Sequence, residues 1–423
     1  MEKIEKIVSA SRTMIESKPF KEEHRTSERA FTRERKLLFP RLIILIIQKS
    51  VKSIQLRLNE FFGWLGSPTI SNSAFTQARA HLKPSAFIAL NDLMVKISYQ
   101  EDDYKRYRGF RLLAIDGSKV RLPKDQEIQE HFGAISYSNQ YEAVKGEHNY
   151  AQVSVLYDVL NRIALTGEFA QARAYEVDLG IKHLGHTQVG DLMLCDRNYA
   201  SYRFLEELES IDFVIRCSAN SFQVARAMLK GQGSDSQVVN LKLNNKKSIS
   251  VRFVRVTLRT GEYEVLVTSL VDELIYPNEL FKELYYLRWG IETFYGFLKT
   301  RLELENFSGK TVESLYQDFY ATVYLTGLES LLTLETNQIL ATKNTGVNSQ
   351  PVNHNVSFHA IKSEALNLLL SDIPIPKVLK KLRALFLTNP TLNKKNRIRL
   401  ETRGRLDIYY IIIVLNGNIA FEP

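Results

Sequence analysis

The chain has 423 residues, 44% of them hydrophobic and 24% charged. This is an ordinary globular composition that can bury a sizeable core, and it excludes a disordered or fibrous chain. A formal net charge of +9 points to anionic partners, nucleic acid first, while two cysteines exclude a disulfide scaffold and argue against a cysteine-based zinc site.

Residues 1–105 read as helical. "FPRLIILIIQKSVKSIQLRLNEFFGWL" has apolar residues at helical spacing and stops at the breakers Gly66–Pro68. "SNSAFTQARAHL" reads as a helix capped by Ser71 or Ser73. It would expose Gln77, Arg79 and His81 to a DNA end, and a packing role is equally open. The pattern then changes. "FRLLAIDGS" is a short strand ending at Asp116 and a Gly-Ser turn. "YAQVSVLYDVLNRIALTGEFA" reads as a hairpin around Asp158–Arg162, and a short helix follows near Glu176–Leu184. "GDLMLCDRNYAS" is a strand ending at Asp196, followed by a helix and the strand "DFVIRCS". Residues 238–270 are rich in alternating, strand-like runs. Two helices come next, then the polar stretch "TNQILATKNTGVNSQPVNHNV", read as a loop.

The expected fold is α/β: a mixed sheet with helices on both faces, interrupted by an all-β insertion and preceded by an all-helical domain. RNase H-like topology matches this order best. The expected domains are a helical DNA-binding domain at 1–105, a catalytic domain at 106–335 with the insertion at 222–270, and a basic, helical region at 336–423. Cys195 and Cys217 lie in apolar runs and read as buried thiols, and His183, His186, His354 and His359 do not assemble a metal site. The longest apolar runs, Leu42–Ile47 and Tyr409–Leu415, fall short of the roughly 20 residues of a membrane helix. The N-terminal stretch is charged throughout and carries no secretory pattern, so a reducing, cytoplasmic compartment and no membrane partner are expected.

Three carboxylates stand where chemistry could use them. Asp116 and Asp196 end apolar strands, where side chains of an α/β sheet face open space on a rigid backbone. Glu292 lies on a later helix, 96 residues beyond Asp196. If the strands are neighbours and the helix crosses them, the three converge. Hard oxygen donors of this kind hold Mg²⁺ and suit phosphoryl transfer. Taken singly, either aspartate reads first as a turn former or helix cap; together with Glu292 the chemical reading prevails. Read as one helix at about 100° per residue, Tyr285, Arg288, Glu292 and Lys299 share a polar stripe about 60° wide. The plain alternative is a solvated face with an Arg288–Glu292 ion pair.

The spacing Tyr285, Arg288, Glu292, Lys299 resembles the Y-R-E-K signature of the IS-four family of DDE transposases. "LLAIDGSKVRLP" is similar to the family's first-Asp segment and "LMLCDRNYAS" to its second, with Asn198 where glycine is common. "LRWGIETFYGFLKTRLELENFSG" resembles the family's helix R-W-x-I-E-x-x-F-x-x-x-K, with Tyr295 in place of phenylalanine. The resemblance spans roughly Phe31–Leu332. It implies an RNase H-like core with a β-rich insertion, and cut-and-paste transposition of an insertion sequence through nicking, hairpin formation and strand transfer. Asp116, Asp196 and Glu292 would be the catalytic, metal-binding residues, taking two Mg²⁺ ions with Mn²⁺ as substitute. Tyr285, Arg288 and Lys299 would contact the backbone of double-stranded transposon-end DNA, in a homodimeric synaptic complex on the bacterial nucleoid. An aromatic platform for an extruded base is implied; Trp289 is one candidate and equally a packing residue. Two alternatives stay open: a catalytically inactive DNA-binding derivative, and an RNase H-like nuclease that never joins.

Residues 377–405 hold ten basic side chains against the single acid Glu401. Lys394, Lys395, Arg397 and Arg399 are the strongest candidates there for phosphate contact.

Overall fold

A computed structural model describes residues 2–33, 36–139, 142–244, 247–258, 260–343 and 350–391. Six helices open the chain: α1 (Glu2–Glu16), α2 (Lys18–His24), α3 (Phe39–Ile47), α4 (Ile54–Trp64), α5 (Asn72–Arg79) and α6 (Ser85–Ser98). Ser17, Ser53 and Ser71 cap α2, α4 and α5 by accepting a backbone N–H. The mixed region follows as β1 (Arg111–Arg121), α7 (Gln126–Phe132), β2 (Ala134–Asn139), β3 (Glu142–Asp158), β4 (Ile163–Gln171), α8 (Glu176–His183), β5 (Asp191–Cys195), α9 (Tyr202–Glu207), β6 (Asp212–Arg216) and α10 (Gln223–Leu229). Then come β7 (Ser236–Lys242), β8 (Ser248–Thr257), β9 (Tyr263–Thr268), α11 (Asn278–Tyr286), α12 (Trp289–Thr300), α13 (Val312–Lys343), α14 (His354–Leu369) and α15 (Ile375–Thr388).

Among the described residues the strands form one mixed sheet in the order β2-β3-β1-β5-β6-β9-β8-β7, with β4 also on β3. β1, β5 and β6 are parallel neighbours, and the other pairings are antiparallel. β9 pairs with β6, so the β-rich stretch after α10 continues the central sheet. Arg111 and Asp191, opposite each other in the β1–β5 register, form a buried bidentate ion pair at 2.7 and 2.6 Å. Alternation along β1 divides the core. Leu112 and Ala114 join a cluster with α6, α11, α12 and α13, while Leu113 and Ile115 join one with α8, α9 and α10. Helices therefore cover both faces. The first cluster also takes in Ile7, Leu42 and Phe87, which ties the opening helices to α13 and the sheet.

Three expectations about elements change. β1 does not stop at Asp116. Its pairing with β5 ends at Ile115–Cys195, but β3 carries it on to Arg121–Tyr150. The helix expected over 285–301 is broken into α11 and α12. The N–H groups of Leu287, Arg288, Gly290 and Ile291 bond three residues back rather than four, which tightens the backbone there. The stretch "TNQILATK" is not loop but the last two turns of α13, with Thr336 and Leu340 buried.

Candidate active site at the open end of two parallel strands

Asp116 and Asp196 follow directly on the last β1–β5 register pair, Ile115–Cys195. The β1–β5 pairing ends there, and both aspartates are half-buried. The Gly117 N–H donates to Asp116 Oδ1 at 2.8 Å. Burial pushes the Asp116 carboxyl up to about 6, against the pull of the Gly117 N–H and Arg288; the charges of Glu292 and Asp196 push it further up. Both other carboxylates thus lie within electrostatic reach of Asp116. Glu292 sits in the first turn of α12, which packs across β1.

Arg288 is the cation of this group. Its guanidinium donates to Glu292 Oε1 at 2.8 Å and stands 4.0 Å from Asp116 Oδ2. It lies over the rings of Tyr285 and Trp289, at 5.5 and 5.2 Å. Burial opposes its charge, but Tyr285, Glu292 and Asp196 more than offset that and hold it above its ordinary range. The Arg288 side chain is only 3% exposed, and Tyr285 is buried with its hydroxyl donating to Cys195 O at 3.4 Å. The polar ridge expected on an exposed helix face is therefore not there. At the tightened turn of 287–288 Arg288 faces inward, to the carboxylates, in the (i, i+4) pair that the plain reading allowed. Lys299 is half-buried and donates to Lys119 O at 2.7 Å, at the far end of α12. Trp289 packs against Arg288.

The transposase DDE domain family matches residues 107–325, just over half of the chain. The chain belongs to that family. It is a DNA transposase, of an enzyme class that transfers nucleotidyl groups with the help of divalent metal ions. The matched residues include Asp116, Asp196 and Glu292 and exclude α1–α6, α14 and α15. A cryo-EM structure titled as a piggyBac transposase synaptic complex with hairpin DNA shares 9% identity, at a TM-score of 0.48 over 92% of this chain and 87% of that one. The search of curated proteins finds no match.

The three candidate donors suit a hard divalent cation in kind, since all are carboxylate oxygens. Among the described residues no three His, Cys, Asp or Glu side chains are drawn close enough to enclose an ion, and Arg288 supplies the positive charge between Asp116 and Glu292. Among those residues, too, no helix is long and apolar enough to cross a membrane.

Other expected contacts fall elsewhere. Arg79 is not presented to DNA: it is buried in an ion pair with Asp318 at 2.7 Å and also donates to Gln317 and Ser308. Its neighbours on α13 set its orientation, which no wheel drawn on α5 alone reveals. Lys394, Lys395, Arg397 and Arg399 lie outside the described residues. Four residues that the sequence left without a role stand against the aspartates. Tyr295 donates its hydroxyl to Asp116 O at 2.7 Å. Glu176 accepts from Asn198 Nδ2 at 2.8 Å and from Gln152 Nε2 at 3.3 Å. The available signal was that Asn198 and Tyr295 are the two departures from the pattern the segments resemble.

Proposed function

We propose that this transposase is of the IS-four type and moves its own insertion sequence by cutting and rejoining DNA at the terminal inverted repeats. The core at 106–335 is RNase H-like in this reading, the opening helices grip the transposon end, and two copies of the chain hold two ends. The observation that carries the reading is the adjacency of Asp116 and Asp196 where two parallel strands part, with Glu292 on the helix packed across β1.

Asp116, Asp196 and Glu292 would hold the metal, and two Mg²⁺ ions, or Mn²⁺ in their place, would supply Lewis-acid polarisation at the scissile phosphate. The protein's own part is positional and electrostatic. The Gly117 N–H fixes one Asp116 oxygen, and the other faces Arg288 at 4.0 Å. Arg288 offsets the mutual repulsion of the carboxylates, and with a DNA end bound it exchanges its Asp116 contact for a backbone phosphate. In this reading the DNA end also draws Tyr285 and Lys299 from their contacts with Cys195 O and Lys119 O to flank the same backbone. Water attacks phosphorus and the strand's 3′ oxygen leaves. The freed 3′-OH then attacks a phosphorus of the opposite strand, whose 3′ oxygen leaves, and a hairpin closes; after water opens the hairpin, the 3′-OH attacks a target phosphorus and a target 3′ oxygen leaves. Each step is an in-line displacement with no covalent bond to the enzyme.

The test uses a labelled duplex of the flanking inverted repeat with Mg²⁺ or Mn²⁺, comparing the wild type with Glu292→Gln. Nicks, hairpins and joined products are expected from the wild type and none from the variant. Nicks without hairpins or joining would reassign the chain as a nuclease. Tight binding without cleavage would reassign it as a DNA-binding derivative. Equal cleavage by both proteins would remove Glu292 from the site.

A further inference from the structure

Asp116 and Asp196 share a difficulty of position. The ladder that holds β1 beside β5 ends at Ile115–Cys195, one residue before each aspartate. From there the chains diverge, β1 towards Arg121 with β3, and β5 into the short turn Arg197–Tyr199. No backbone pairing between them fixes how far apart the two carboxylates stand. We propose that two side-chain clamps do so: the Tyr295 hydroxyl on Asp116, and the Gln152–Glu176–Asn198 chain on the turn that follows Asp196.

The clamps come from opposite faces of the sheet. On the face of α12, Tyr295 is buried and its hydroxyl takes the Asp116 carbonyl at 2.7 Å. The same helix carries Glu292 one turn earlier, so this bond also ties the third carboxylate to the first. On the other face, Glu176 opens α8 and spans two strands' worth of structure: Gln152 of β3 donates to one oxygen and Asn198 to the other. Two glycines make room for this arrangement. A Cβ on Gly117 would lie 2.6 Å from Gln152 Nε2 and 2.7 Å from Glu176 Oε1. A Cβ on Gly180, one turn along α8, would lie 2.6 Å from the Tyr199 ring, which anchors the same turn as Asn198. The carbonyl of Asp116, and the Asn198 side chain two residues after Asp196, are thus each held by a side chain from a separate element. Tyr295, Glu176, Gln152 and Asn198 touch no reacting atom; they are positioning residues. The inference rests on the proposed function only for what the carboxylates do once positioned.

The experiment compares Tyr295→Phe and Asn198→Ala with the wild type by three measurements: steady-state cleavage of the end duplex with Mn²⁺, affinity for that duplex, and amide hydrogen exchange. Each variant is expected to lose about 10- to 100-fold in kcat while KM, duplex affinity and thermal midpoint hold. Exchange is expected to quicken at residues 110–118 in Tyr295→Phe and at 191–200 in Asn198→Ala, and not elsewhere. Wild-type kcat with unchanged exchange in both variants would overturn the clamps. So would a rise in exchange spread over the whole chain with loss of duplex affinity, which is the signature of ordinary fold-stabilising bonds. If the wild type itself cleaves nothing, the functional reading fails, and exchange alone decides: quickening confined to the two segments supports the clamps, and none overturns them.

Discussion

At the scale of single residues, burial decides what each charged group does. Arg288 is surrounded by Tyr285, Trp289 and Glu292, so its charge is spent on the carboxylates and not on solvent. His183 shows the opposite outcome. It is fully buried, with Nε2 paired to Ser154 Oγ at 3.0 Å and Nδ1 without a partner. Burial first, then the charges of His186 and Lys182, push it down from 6.5 to about 3. The folded protein therefore keeps His183 neutral where the unfolded chain would protonate it. Its contribution to stability is fully present above pH 6.5 and is lost progressively as pH falls towards 3. His183→Gln should flatten that loss, seen as a smaller drop in denaturation midpoint between pH 7 and pH 4 than in the wild type.

At the scale of elements, α8 and α12 matter through what they hold. α8 is short, yet Glu176 and Gly180 on one of its faces meet Asn198 and Tyr199. Gly180→Ala forces a methyl group against a fully buried aromatic ring that has no room to yield. Overpacking of this kind should cost about 1–3 kcal/mol, measured by chemical denaturation. Several of these elements were legible beforehand. "LMLC" is a continuous apolar run after the turn residues Gly190 and Asp191, and it lies in β5, which is buried along its whole length. The hairpin around Asp158–Arg162 forms as β3 and β4. The continuation of β1 past Asp116 was not legible, because "DGS" is a local turn signal and the pairing that overrides it comes from β3, more than 30 residues on. The break at 287–288 was missed for a related reason: Leu287 and Arg288 are good helix formers, and the tightened turn lies where Gly290 approaches Val159 at the end of the hairpin.

At the scale of the whole molecule, α13 joins the opening helices to the sheet. Arg79 on α5 and Asp318 on α13 form a buried ion pair that also engages Ser308 and Gln317. Lys49, held by the carbonyls of Glu303 and Leu304, lies in the same field, and burial pushes it down to about 8. Asp318 is the acid among these cations, and its own carboxyl is held down by Arg79 and Lys49 against the effect of burial. Asp318→Asn should therefore cost about 3–5 kcal/mol, because it leaves Arg79 buried without its counter-charge. Equilibrium denaturation would register the loss, and a change of a few tenths would contradict it.

By itself the sequence determined the types of element, the apolar runs that become buried strands, and the kinship to DDE transposases through short segments around Asp116, Asp196 and Glu292. These are local properties: periodicity, turn residues and spacing are carried by neighbours along the chain. Only the tertiary structure decided that Arg288 turns inward, that Arg79 is occupied by Asp318, and that Tyr295 and Glu176 reach the two aspartate segments. Each of these depends on a partner supplied by a distant element, and the orientation of a polar side chain follows from where its partner and its exclusion from water place it.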